Sequence, residues 1–169
     1  MRLLSSVSLG LLVIWLAGCA TPYEPVPQGY TGSTANIADS AQPRSTSVSN
    51  VFAVVEIDGH PIANTFRASA GASQGKGFKL TTLTTERYVP AEVPLKLKLS
   101  ASPMTGAPIQ QMAMQLAGTF YSVEGVVDLK PRAGGKYVVR GELKKEGSTV
   151  WIEDVESGQP VTEKLTSKP

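Results

Sequence analysis

The chain holds one cysteine and one histidine among 169 residues, few aromatics (7%), and no marked excess of charge of either sign. A single thiol, Cys19, excludes a disulfide within the chain. With His60 as the sole imidazole, it leaves too few ligands for a zinc site of the usual nitrogen and sulfur kind. The 16 basic and 14 acidic residues nearly cancel, so the basic field on which nucleic-acid binding depends is missing. A long apolar run is missing too. The uncharged stretch Leu3 to Leu16 would span about 21 Å as a helix, short of the ~30 Å hydrocarbon core, so a permanent membrane-crossing helix is the weaker reading.

What is present at the start is an address. Arg2 gives the apolar stretch a positive beginning and small residues close it, which is the three-part layout of an export signal. The closing run Leu16-Ala17-Gly18-Cys19 resembles the lipobox of bacterial lipoprotein precursors. That resemblance ends at Cys19 and implies that Leu16, Ala17 and Gly18 are read by the signal peptidase. It also implies that the Cys19 thiol receives a diacylglycerol, that cleavage falls before Cys19, and that the new amino terminus is acylated with a chain such as palmitate. Each buried CH₂ contributes ~0.8 kcal/mol, so several chains on one residue make an anchor that hardly dissociates. Ala20 is not Asp; by the sorting rule of the enterobacterial lipoproteins, this implies an outer-membrane protein whose domain faces the periplasm.

Three segments follow from composition. Residues 1–18 form the lipoprotein signal peptide and 19–50 a lipidated flexible linker, rich in Pro, Ser, Thr and Gly and without a helical or strand period. Residues 51–169 form the domain. An irregular arm packed on that domain through Tyr23 and Tyr30 is the competing reading of the linker.

The domain alternates in short runs separated by turn residues, the habit of an antiparallel β-fold. Val51 to Ile57, Asp58-Gly59 and Ile62 to Phe66 read as a hairpin, with Pro61 starting its strand or lying on an edge. A glycine loop, Ser69 to Gly77, then leads to a strand at Phe78 to Leu83. Val93 to Leu99 alternates most cleanly: Val93, Leu95, Leu97 and Leu99 share one face, Lys96 and Lys98 the other. Pro94 and the two lysines mark it as an edge strand. Further strands are expected at Phe120 to Leu129, Lys136 to Leu143, Thr149 to Val155 and Pro160 to Leu165. The fold class is therefore all-β in the main, an antiparallel β-sandwich, with Pro108 to Ala117 favouring one short helix. Pro131 to Leu143 is similar to the strand entry of immunoglobulin-like and transthyretin-like sandwiches.

No constellation for catalysis emerges. Gly71-Ala-Ser-Gln-Gly75 has the letters of a nucleophile elbow but lies in a loop leading to a strand, and His60 precedes Ser73, against the hydrolase order. Lys76 hints at a phosphate loop whose spacing is one residue short and whose Ser or Thr is replaced by Gly77. Glu124 and Asp128 share a strand face about 13 Å apart, beyond the ~5 to 9.5 Å used by glycosidases. Glu153 and Asp154 point to opposite faces. Met112 and Met114 read as core methionines before they read as a metal box, and Trp151 as a core residue before a sugar-stacking one.

The sequence thus predicts a non-enzymatic, membrane-anchored envelope lipoprotein without a cofactor, acting as a structural or protein-interaction module. Its partners would be the membrane, through Cys19, and another envelope protein, with no nucleic acid. The candidate contacts are Lys96 and Lys98 on the alternating strand and the loop at Gly75. The alternative is a periplasmic binder of a small molecule, glycan or hydrolase; an inhibitor of cationic hydrolases would gain from an acidic surface that this chain lacks.

Overall fold

The computed structural model describes residues 23–167; the signal peptide, the lipobox and Cys19 lie outside the described residues. Two sheets pack face to face as a β-sandwich. One has the order β10 (Leu165–Thr166), β9 (Thr149–Asp154), β8 (Lys136–Glu142), β1 (Thr34–Ala38), β5 (Glu86–Pro90). The other runs β2 (Ser40–Pro43), β3 (Val48–Ile57), β6 (Leu95–Thr105), β7 (Val123–Leu129), with the two-residue β4 (His60–Pro61) also on β3. Helix α1 (Thr65–Ser73) follows β4, and α2 (Pro108–Leu116) joins β6 to β7.

The core forms where the period-two apolar positions of both sheets meet. Leu95, Leu97 and Leu99 of β6 interlock with Phe52 and Val54 of β3, Val127 of β7, Ile37 of β1 and Val139 and Ile152 of β8 and β9, all buried. Asp58 and Gly59 both adopt positive φ (50° and 79°), so the Asp-Gly turn forms as its sequence dictates, the mirror-image turn whose twist suits a hairpin.

Several expectations are corrected. The β-fold begins at Thr34, not Val51: β1 pairs antiparallel with β5 and parallel with β8, and Ala35 and Ile37 are core residues. The first sheet is therefore mixed, not purely antiparallel. The segment before it is a packed arm, since Tyr23 stacks on His60 with ring centroids 4.6 Å apart and Pro25 is buried. The chain beyond Pro61 turns into α1 in place of a strand, Asn64 accepting the Arg67 N–H as its N-cap. There are thus two helices among the described residues, not one.

The alternating segment is not an edge. Strand β6 lies between β3, paired from Leu97 to Thr105, and β7, paired from Leu95 to Ala101, and Pro94 stands just before it. Trp151 lies on the outer face of its sheet, half-buried, with the Lys164 ammonium 4.2 Å from its ring centroid; the core is on the side of Val150 and Ile152.

Candidate interaction surface

Strand directions give the sandwich two ends. Tyr23, His60 and the Asp58 turn gather at the Leu95 end of β6, where Asp58 N–H donates to the Lys96 carbonyl. The other end, beyond Thr105, is about 33 Å away at ~3.3 Å per residue. It carries α2, the C-terminal end of α1, the turn after β2 and the turn between β8 and β9.

Helix α2 is the unusual element there. None of its residues is buried; Ile109 is 65% exposed, Met112 60% and Leu116 89%. These three lie at i, i+3 and i+7 and so share one face. The helix exists for local reasons: Pro108 suits its first turn, the Gln110 side chain accepts the Ala107 N–H, and Gly118 with positive φ ends it. From Gly106 to Val123 the chain carries no charged residue.

The ground beside α2 is built by an unusual pairing of helix with extended chain. Thr65, Ser69 and Ser73, one buried stripe of α1, accept the backbone N–H groups of Thr85, Leu83 and Thr81 at 3.0, 2.9 and 2.9 Å. The spacing matches because four helical residues rise about 6.0 Å and two extended residues about 6.6 Å. Residues 78–84, expected in part as a strand, are therefore a strap zipped to a helix. The strap crosses β6 so closely at Gly106 that a Cβ there would lie 2.1 Å from the Phe78 carbonyl oxygen. Phe78 is left 61% exposed near the start of α2.

Of the residues singled out from sequence, Gly75 does lie here. It lines an open cleft of about 740 Å³ between the C-terminal end of α1 and the start of α2, together with Gly71, Gly77, Met104 and Gln111. Lys96 and Lys98 do not. They project from the outer face of the middle of the second sheet, where Lys96 pairs with Asp128 at 3.1 Å and Lys98 with Glu124 at 2.9 Å and Glu56 at 3.2 Å. Hydrogen bonds to Glu124 and then to Glu56 hold the Lys98 ammonium above the usual lysine value. The expected positive stripe is thus a neutralised cross-strand ladder. Sequence reading overlooked Phe78, Ile109 and Leu116 as a surface, although the charge-free run around them was visible.

The groups that could suggest catalysis have structural occupations. Ser73 Oγ accepts the Thr81 N–H and is buried, while His60 stacks on Tyr23 at the opposite end. Asp39 and Arg87 form a buried ion pair at 2.7 Å, with side chains 0% and 7% exposed. Asp39 also accepts from Val54 N, Thr65 N and Thr85 Oγ1 at 3.1, 2.9 and 2.8 Å, so one carboxylate ties β3, the start of α1 and the strap together. At the other buried carboxylate, Asp154, a backbone hydrogen bond from Ser157 and the Arg132 guanidinium hold the carboxyl below its usual range against the opposing effect of burial. Among the described residues no group of three or more His, Cys, Asp or Glu side chains could hold a metal, and no helix is long and apolar enough to cross a membrane.

Comparison with family models, with curated proteins and with solved structures finds no match.

Proposed function

We propose that this protein is a lipid-anchored module of a bacterial envelope that presents α2 to another envelope protein. The observation that carries the interaction role is the helix with Ile109, Met112 and Leu116 turned to solvent and no residue buried. Exposed apolar side chains gathered on one element mark contact sites in soluble domains, and methionine adapts to a partner's shape at little cost.

Anchoring rests on the lipobox, and the packed arm changes its consequence. Three residues lie between Cys19 and Tyr23, so the two are at most about 14 Å apart along extended chain. An acylated Cys19 then keeps the His60 end of the sandwich near the headgroups and α2 at the far end, facing away from that membrane. The absence of charge on α2 also argues for a protein contact, because helices that lie on lipid surfaces carry Lys and Arg on their polar face. Arg44, Lys79 and Lys145 stand exposed at the same end, so the partner that fits is an uncharged apolar groove with carboxylates at its rim.

The test has two arms. Cys19→Ser should abolish acyl labelling and release the processed protein from membranes; membrane retention of processed, unlabelled Cys19→Ser protein would contradict the anchor. Met112→Lys with Leu116→Lys should leave anchoring and melting temperature unchanged and remove a crosslinked protein partner; undiminished partner recovery would contradict the contact role of α2.

A further inference from the structure

The free edge of β5 offers a second site, at the other end of the molecule from α2. Among the described residues, strand β5 is the last in its sheet. In its ladder with β1, Asp39 N–H donates to the Thr85 carbonyl and Ala91 N–H to that of Ser33. With the pairing Ile37 to Arg87 and Ala35 to Val89, this parity turns the N–H and C=O groups of Arg87 and Val89 towards β1. Those of Glu86 and Tyr88 point away from it, out of the sheet edge. Pro90 has no N–H, so the outward donors stop there.

Glu86 and Tyr88, with Arg87, Ile62 and the arm at Tyr23 and Glu24, bound a cleft of about 550 Å³. The arm does not fill it: the Tyr23 N–H goes to the Pro61 carbonyl. Arg87 lines the cleft from beneath. Its Nη1 lies against Asp39 and its Nη2 donates to Thr85 Oγ1 at 3.1 Å, while the buried Nε meets no acceptor. An open strand edge beside a cleft is chemistry for an extended chain, which adds as a further strand through main-chain hydrogen bonds.

Charge selects among such chains. Arg87 is neutralised by Asp39, so Glu24 and Glu86 set the sign at the cleft. We infer that the β5 edge takes a short extended segment of a partner protein bearing basic side chains, paired to Glu86 and Tyr88. A second copy fits less well, because it brings its own Glu24 and Glu86 to the same place, and a five-residue edge falls well short of the ~800 Å² per partner of a stable interface.

The test uses the full chain, ¹⁵N-labelled in detergent solution, with the hexapeptide acetyl-Lys-Val-Lys-Val-Thr-Val-amide as probe and its Glu-for-Lys counterpart as control. The Lys peptide should slow amide exchange at Glu86 and Tyr88 and bind more tightly than the Glu peptide. Tyr88→Pro removes an outward N–H that the β1 ladder does not use, so it should weaken binding about tenfold or more without lowering the melting temperature. Glu86→Lys, a second variant at an exposed position, should reverse the preference between the peptides. The inference is overturned if neither peptide protects these amides, if folded Tyr88→Pro binds as the parent does, or if the amides are protected without peptide in proportion to protein concentration, which would assign the edge to a second copy.

Discussion

Asp39→Ala removes the carboxylate on which the N-terminal half of the molecule converges. Arg87 is left buried with no countercharge, and Val54 N, Thr65 N and Thr85 Oγ1 lose their acceptor. Breaking a buried pair by deleting one partner costs about 3 to 5 kcal/mol. The three hydrogen bonds cannot simply be added, because they belong to the same network. Against a total stability of ~5 to 15 kcal/mol, this is a large share. With a urea m-value of ~2 kcal/mol per molar for a domain of this size, the unfolding midpoint should fall by about 2 M. Asp39→Val combined with Arg87→Met should recover part of the loss, since an apolar pair of similar volume leaves no stranded charge. Equilibrium urea unfolding of the three proteins decides it. A loss below ~1 kcal/mol for Asp39→Ala, or a double variant less stable than the single, would refute the assignment of Asp39 as the tie between β3, α1 and the strap.

The helix-to-strap zipper predicts that Ser69→Ala, which strands the Leu83 N–H, costs about 1 to 3 kcal/mol in thermal or urea unfolding; no measurable loss would mean the strap is held by other contacts. Gly106→Ala should force the strap off β6, given the 2.1 Å approach to the Phe78 oxygen, and be read as faster proteolytic cleavage between residues 74 and 84; unchanged cleavage would contradict the close crossing. Asp154 has a folded pKa below its unfolded value, so its stabilisation is fully present above the ordinary aspartate value of about 3.9 and is lost as pH falls through the depressed folded value. Asp154→Asn should therefore reduce stability near pH 7 and flatten the fall in stability below pH 4; an unchanged acid limb in urea titrations would show that other carboxylates control it.

The sandwich was legible where side chains report burial directly. Leu95, Leu97 and Leu99 announce a one-sided strand, and Pro108, Ile109, Met112 and Leu116 announce α2, because spacing alone decides which face they share. Position within the sheet was not legible: Lys96 and Lys98 suggested an edge, whereas a central strand tolerates them once Glu56, Glu124 and Asp128 stand across from them. Helix α1 was hidden because its buried stripe is Thr65, Ser69 and Ser73, polar residues that serve as acceptors for a strap distant in sequence. Strand β1 was hidden because it holds one large apolar residue, Ile37, amid a composition that reads as linker. At the candidate surface, the glycine-rich loop marked Gly75, which lines the cleft beside α2. The exposure of α2 could not be, since the same apolar stripe would equally have served a buried helix.

The proposed contact is between α2 and a protein partner. A photoreactive amino acid placed in turn at Met112, Leu116 and Lys96 in otherwise intact, acylated protein tests it in living cells. A discrete adduct of one protein with this chain is expected from positions 112 and 116 and none from position 96. No protein adduct from either α2 position, or the same adduct from position 96, would contradict it.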